Sequence, residues 1–133
     1  MNRKSKTVWA GLVVLVACAA VSLAADRDGW RMLGSRKVTD RVDRDVIPVG
    51  AREGEFSAVQ LRVQGVAVQF RSMTIHFVNG KRQEVELRDV IPAGGQSRVV
   101  DLVGDDRHIR SVEFLYDSQS LGRRGTVRLW GRR

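Results

Sequence analysis

The stretch that most constrains the fold of this chain is a pair of alternating segments on either side of Asn79-Gly80. Apolar residues occupy every second position of both segments: Met73, Ile75, Phe77, Val85 and Leu87. Because successive side chains of a strand point to opposite faces, these residues can share one buried face. Asn-Gly favours a two-residue type I′ turn, in which both central residues take a positive φ. The pattern therefore predicts a β-hairpin in which Asn79 and Gly80 have a structural role.

Further short alternating segments flank the predicted hairpin, with turn signals between them. They are residues 30–34, 46–49, 56–64, 66–70, 98–102, 109–116 and 126–130. No stretch after Ala25 shows a sustained helical period. About eight or nine short strands predict an all-β fold, a single antiparallel β-sandwich or a partly open barrel.

The segments between the predicted strands include two long connections, residues 38–45 and residues 88–97, and residues 131–133 form a tail. Gly65 separates two strands in which the apolar residues occupy opposite parities. A glycine at such a change predicts a bulge or a tight bend.

The first 25 residues differ from the rest of the chain. Arg3, Lys4 and Lys6 form a basic start, residues 8–25 carry no charge, and Asp26 ends the apolar run. This order indicates a signal helix that is cleaved near Ala25. We therefore predict a signal peptide at residues 1–25 and an all-β domain at residues 26–133. The expected location is periplasmic or secreted, with no transmembrane domain in the mature form.

Cys18 is the only cysteine of the chain and leaves two alternatives open. Leu15-Val16-Ala17-Cys18 resembles the bacterial lipobox, which would give a lipoprotein anchored through Cys18. An uncleaved anchor is also conceivable, since about 18 apolar residues can just span a bilayer. Cleavage after Ala25 would leave a mature chain without a thiol, and therefore without a disulfide.

The mature part is basic and rich in arginine. Removing Arg3, Lys4 and Lys6 from the 23 basic residues leaves 20, against 15 acidic residues, which is a net charge of +5. Acids and bases are interspersed along the chain. This composition is typical of a solvated surface with salt bridges, and it leaves open an anion-binding face.

Three segments carry a resemblance to a known family: WRMLG at residues 30–34, LVGDDRHIRSVEFLY at residues 102–116 and VRLWG at residues 127–131. They resemble the YaaI-like bacterial proteins, a secreted or periplasmic domain of unknown function. The resemblance extends over nearly the whole mature chain. It implies an all-β fold and export, and it implies no catalytic residue, ligand or activity.

Residues suited to metal or hydrolytic chemistry are sparse. His76 lies on the polar side of its predicted strand, and His108 follows Asp105 and Asp106 in a turn. We interpret the first as a surface residue and the second as part of a hydrogen-bonded turn, with a weak cation site there as an alternative. No nucleophile elbow, phosphate loop or dinucleotide glycine pattern occurs. We therefore predict no catalytic residue, no metal site and no cofactor, and a protein that is not an enzyme.

Arg107 is predicted to be structural. It follows the turn between two predicted strands. We expect its side chain to bond to loop carbonyls or to Asp101 and so to tie the strands together, because a partly buried arginine usually has a partner.

The last predicted strand carries the candidate binding residues. If its apolar residues face the core, Trp130 lies near solvent among Arg124, Arg128 and Arg132. Such a strip could attract an anionic envelope polymer by charge and stack on a ring through Trp130. No specific nucleic-acid site is predicted. In the alternative interpretation, Trp130 caps the open end of the sandwich and its indole N–H bonds to a loop carbonyl.

The function expected from these features is that of an exported, non-enzymatic module of the bacterial cell envelope with a binding or structural role. Two alternatives stay open: a small hydrolase that acts on envelope glycan, and a lipoprotein or subunit that assembles through its sheet edges. A cleft with two carboxylates or a His-acid pair would favour the hydrolase. A long uncovered edge strand would favour assembly, and a solvated face with arginine and aromatic residues would favour binding.

Overall fold

Eight strands form two four-stranded antiparallel sheets in the computed structural model, which describes residues 29–38, 42–118 and 124–133. The strands are β1 (Trp30–Val38), β2 (Val42–Pro48), β3 (Ala58–Gln64), β4 (Val68–Phe77), β5 (Arg82–Ile91), β6 (Val100–Asp101), β7 (Ile109–Ser118) and β8 (Gly125–Arg132), with a short 3-10 helix at Ala51–Glu53. The first sheet has the order β1-β8-β3-β6 and the second has the order β2-β7-β4-β5. The predicted all-β sandwich is confirmed, and the described strands do not close into a barrel.

Residues 32–133 form one compact unit. Of the preceding unit, residues 1–31, the structure describes only residues 29–31. The signal helix and the division near Ala25 lie outside the described residues and stay predictions. Within the described ranges, no helix is long and apolar enough to cross a bilayer.

The core lies between the two sheets and follows the predicted alternation. In β8, Val127 and Leu129 are fully buried, while Arg128 and Trp130 are half-buried on the opposite side of the strand. In the second sheet, Phe114 is fully buried and meets Phe70 edge to face, with ring centroids 5.9 Å apart. Burying one such side chain contributes roughly 1.5–3 kcal/mol, so the strand polarity seen in the sequence is enforced by the core.

Gly65 is a bend and not a bulge. It has φ +89 and lies where the chain leaves β3 in the first sheet and enters β4 in the second. The crossing between sheets explains the change of apolar parity. The bulge lies inside β4 between Phe70 and Ser72, where the pairing with β5 and with β7 shifts. The two predicted strands at residues 66–70 and 73–78 are therefore one bent strand.

The central hairpin is present, but its turn differs from the predicted two-residue type. Gly80 N donates to Phe77 O at 3.0 Å and Phe77 N donates to Lys81 O at 2.9 Å, so the loop has three residues. Gly80 has φ +91, whereas Asn79 does not take a positive φ. Asn79 acts through its side chain, since its Oδ1 accepts from Lys81 N at 3.0 Å. The arrangement matches a hairpin loop that ends in a left-handed glycine.

Both predicted connections and the predicted tail contain strand. β2 begins at Val42 inside the predicted connection, and β5 continues to Ile91 inside the predicted loop. There Arg88 takes φ +42, an unusual value for a residue with a side chain. β8 continues to Arg132, and the buried Gly131 leaves no room for a Cβ, which would lie 2.7 Å from Phe56 Cδ1. These segments look like loops in the sequence because charged residues and glycine replace the apolar positions.

Candidate functional site

The outer face of the first sheet is here called the arginine face. It is formed by side chains of β3 and β8 that point away from the core. Antiparallel pairing places Gln64 opposite Thr126, Arg62 opposite Arg128, and Gln60 opposite Trp130. Directly opposed side chains on one face of a sheet are in contact distance, so these residues form one continuous surface.

Arg62 lies over the ring of Trp130. Its Cζ is 4.1 Å from the ring centroid, which is the geometry of a cation–π contact. Arg62 Nε donates to Gln60 Oε1 at 3.2 Å, and Gln60 Nε2 donates to Ser97 O at 3.0 Å. Because Gln60 is only 5% exposed, this chain of bonds is largely shielded from water. The guanidinium of Arg62 is therefore held by contacts with Gln60 and Trp130.

Trp130 is half-buried, and its Nε1 is fully buried without a hydrogen-bond partner among the described residues. The bond from the indole N–H to a loop carbonyl, which the alternative interpretation required, is not formed. A buried donor without an acceptor costs about 1–3 kcal/mol. The arginine that lies over the ring of Trp130 is Arg62 of β3, which the sequence pattern did not include.

Two arginines of the arginine face lie side by side on neighbouring strands. Arg62 and Arg128 are directly opposed cross-strand neighbours, an arrangement that is destabilising for like charges. Within the described ranges, Arg128 has no hydrogen bond or ion pair.

An open pocket of ≈ 210 Å³ lies on the arginine face. Its lining contains two arginines, two amide side chains and no acid: Arg62, Val63, Gln64, Gly94, Gly95, Gln96, Arg128 and Trp130. One wall is the connection after β5, which is fastened to β3 because Val63 N donates to Gly95 O at 3.0 Å and Gly94 N donates to Val63 O at 2.8 Å. The pocket floor is therefore sheet and its wall is a fixed loop.

The structure brings together only part of the predicted strip. Arg128 and Trp130 line the pocket, whereas Arg132 pairs opposite Ala58, and Arg124 is exposed just before β8. Neither Arg124 nor Arg132 lines the pocket. Sequence reasoning missed Arg62, Gln60 and Gln96. The alternation of β3 indicated that Gln60 and Arg62 share a polar face, but nothing in the sequence fixed the register between β3 and β8.

The outer face of the second sheet is here called the paired face, because three of its arginines lie beside carboxylates. Glu113 accepts from Arg44, with Nε and Oε2 3.0 Å apart, and its other oxygen lies 3.3 Å from His76 Nε2. Further pairs join Arg82 to Glu84 and Arg88 to Glu86, at 3.6 Å and 3.3 Å. The His-acid pair of this face lies on an open sheet surface and not in a cleft.

The turn before β7 is hydrogen-bonded, as expected for His108. Asp106 accepts from the side chain and the main chain of His108, at 2.5 Å to Nδ1 and 3.3 Å to N. These bonds hold the pKa of Asp106 below its usual value of 3.8. Glu55, Asp106 and His108 each offer a ligand atom within 4.8 Å of the others, so Glu55 and not Asp105 would complete a cation site.

Arg107 ties the strands through its main chain. Its N donates to Glu55 Oε1 at 3.3 Å, and its O accepts from Phe56 N at 3.4 Å. The buried Nε of Arg107 has no partner among the described residues, and the expected bond to Asp101 is absent there. Asp101 O instead accepts from Gln83 Nε2 at 2.9 Å.

Comparison with known proteins gives one family and several remote structural likenesses. Residues 11–131 match the family model described as Domain of unknown function (DUF2541). No curated protein matches the chain. AlgX of Pseudomonas aeruginosa is similar at 20% identity over 74% of this chain, which spans only 26% of AlgX, with a TM-score of 0.49.

Two further structures are similar at a lower level. A family 29 carbohydrate-binding module complexed with cellulohexaose has 13% identity over 78% of this chain and 80% of its own length, with a TM-score of 0.39. The SPBc2 prophage-derived protein YomS has 13% identity over 74% of this chain and 93% of its own length, with a TM-score of 0.36. Likeness at this level does not assign a ligand.

Proposed function

The chain belongs to the DUF2541 family, a domain of unknown function, and we propose that it is a non-enzymatic binding module that attaches to an anionic polymer of the cell envelope through the arginine face. The observation that carries the proposal is the pocket in which Arg62, stacked on Trp130, lies opposite Arg128 with no acid in the lining. Arginine guanidinium groups form bidentate hydrogen bonds with the oxygens of carboxylates and phosphates. An anion in this pocket would remove the repulsion between the two arginines.

The location is part of the proposal. The basic, apolar and small-residue order of residues 3–25 and the resemblance to YaaI-like proteins support export and cleavage near Ala25. The intact mass of the exported protein tests this, with a mature chain that begins near Asp26 as the expected result. A diacylglycerol-modified chain beginning at Cys18 would instead identify a lipoprotein.

Assembly through sheet edges is an alternative function that β5, an edge strand of the second sheet, supports less well than the arginine face supports binding. Arg98 donates to the carbonyls of Glu86 and Leu87 at 2.8 Å and 3.5 Å, so its guanidinium occupies acceptors that a partner strand would need. The side chain of Gln83, also on β5, donates from Nε2 to Asp101 O at 2.9 Å and accepts at Oε1 from Val103 N at 3.0 Å. Covered edges are a common protection against strand addition.

Binding of the purified protein to polygalacturonate, with neutral dextran as the reference polymer, tests the proposal. We expect binding to polygalacturonate alone, and an affinity that falls steeply between about 50 and 200 mM salt, since released counterions contribute to the free energy of binding. Arg128→Gln should weaken binding by about tenfold, because each 1.4 kcal/mol corresponds to a factor of ten.

Arg82→Gln is the matched control, since it removes the same charge from the paired face, where Arg82 lies beside Glu84. It should leave the affinity within about twofold of the unaltered protein. Equal loss in both variants would mean that net charge alone attracts the polymer. Absence of binding to any polyanion at low salt would refute the proposed function.

A further inference from the structure

From the geometry of the pocket, we infer that its ligand is a sugar acid: one uronate unit of an acidic polysaccharide, with its carboxylate on Arg128 and its ring against the guanidinium of Arg62. The inference rests on the proposed function and narrows it from any polyanion to a carboxylate-bearing glycan. Three features of the described residues support it: the unpaired cation, the stacked platform and the polar lining.

Arg128 supplies the carboxylate contact. Its guanidinium has no hydrogen-bond or ion-pair partner within the described ranges. It is half-buried on the sheet surface and lines the pocket. A planar five-donor fork matches the two oxygens of a carboxylate.

Arg62 supplies a flat platform. Trp130 supports one side of its guanidinium at 4.1 Å, and Gln60 holds its Nε, so the plane of the group has a fixed orientation. Arg62 and Trp130 both line the pocket. A planar ring or the apolar face of a sugar can lie on such a supported guanidinium, as bases lie on arginine planes in nucleic-acid complexes.

The remaining lining suits a hydroxyl-rich ligand. Gln64 and Gln96 offer both donors and acceptors, which is the complement that sugar hydroxyls need. Gly94 and Gly95 bring main chain without side chains to the wall. The pocket, at ≈ 210 Å³, holds several water molecules at once and therefore a group the size of a sugar ring.

Nucleic acid fits the same face less well. Single-stranded binders stack successive bases on a series of aromatic rings along a basic groove. The pocket of the arginine face has a single aromatic residue, Trp130, and Arg62 already covers one side of its ring. The geometry thus favours one sugar acid with its neighbours in the chain over a run of stacked bases.

The ligand panel that tests the inference has three polymers at one ionic strength: polygalacturonate, the same polymer with its carboxyls methyl-esterified, and polyphosphate at equal charge concentration. We expect polygalacturonate to bind at least about tenfold more tightly than either of the others, which corresponds to about 1.4 kcal/mol. Polyphosphate binding equal to that of polygalacturonate would overturn the inference while leaving the proposed polyanion binding intact. Failure of all three to bind at low salt would refute the proposed function itself.

Charge-conserving variants test the role of the guanidinium groups. Arg128→Lys and Arg62→Lys each keep the positive charge but lose the planar fork, so polygalacturonate affinity should fall by about tenfold in each. Arg82→Lys on the paired face is the matched control and should bind as the unaltered protein does. Unchanged affinity in both Arg128→Lys and Arg62→Lys, with melting temperatures that report folded proteins, would overturn the inference.

Discussion

The arginine face and the paired face are two outer surfaces of one sandwich, and they differ in how their charges are neutralised. On the paired face, Glu113 meets both Arg44 and His76, and two more arginines lie beside glutamates. On the arginine face, Arg62 and Arg128 are opposed without an acid in the pocket lining. Both faces carry arginine in abundance, so composition does not distinguish them.

On the proposed function, arginine contributes to stability on the paired face and binds a ligand on the arginine face. Exposed ion pairs contribute about 0–1 kcal/mol each, so the paired face gains solubility and modest stability. Opposed like charges cost a comparable amount. The arginine face therefore keeps an arrangement that a simple surface would avoid, as is common at functional sites.

The largest expected effect comes from making the arginine face resemble the paired face. Arg128→Glu places a carboxylate opposite Arg62, where it would form a cross-strand ion pair and repel an anionic ligand. We expect polygalacturonate affinity to fall by about a hundredfold, or about 2.7 kcal/mol, without a lower melting temperature. Titration of the ligand and a thermal melt measure the two quantities. Arg82→Glu on the paired face is the control, and equal losses in both variants would contradict the comparison.

The next effect concerns the edge of the second sheet, which Arg98 covers. Arg98→Ala removes the bonds to Glu86 O and Leu87 O and should lower the free energy of unfolding by about 1.5 kcal/mol. Urea denaturation measures it. Arg36→Ala is the matched control, since Arg36 is exposed and its Nη1 donates only to the adjacent Ser35 O. A loss as small as that of the control would show that the edge bonds do not stabilise the sheet.

A smaller effect is expected at the hairpin of the second sheet. Gly80→Val forces a β-branched residue to φ +91, although a Cβ there would meet no atom within 4 Å. The cost is conformational only, about 1 kcal/mol, and Gly80→Asn should cost less because asparagine tolerates positive φ. Ligand affinity should not change, since the hairpin lies in the other sheet. Equal melting temperatures for Gly80→Val and the unaltered protein would contradict the claim that the positive φ at residue 80 requires glycine.

The smallest effect is expected when the paired face loses its central acid. Glu113→Gln removes the negative charge beside Arg44 and His76 and should lower the free energy of unfolding by about 0.5 kcal/mol, because Arg44 is largely exposed. Polygalacturonate affinity should stay within about twofold of the original value, since the paired face gains charge but no arginine pocket. A marked gain in affinity would show that unpaired charge suffices and that the pocket is not needed.

Strands in which apolar and polar residues alternate regularly were predictable from the sequence, and strands without a regular alternation were not. Residues of β7 and β8 reveal their buried sides directly, because Phe114 and Leu129 alternate with polar neighbours. Only the second half of β2 was visible in the sequence, at residues 46–49, because charged residues occupy positions 43–45. The turn at Asn79-Gly80 was located correctly, but its type depends on the strand ends and not on the dipeptide alone. The candidate site was half predictable: Arg128 and Trp130 are adjacent on one strand face, whereas Arg62 comes from another strand.

The sequence by itself determined the sheet class, the faces of its strands and the basic character of β8, since each of these follows from local alternation of side chains. Only the tertiary structure decided which strands are neighbours. The pairing of β3 with β8 brings Arg62 over Trp130 and opposite Arg128, while β7 brings Glu113 to His76. Register between strands distant in the chain is set by the joint packing of both sheets on one core, and no local pattern records it. Register also sets the charge neighbours: β2 and β7 bring Arg44 to Glu113, whereas β3 and β8 place Arg128 opposite Arg62.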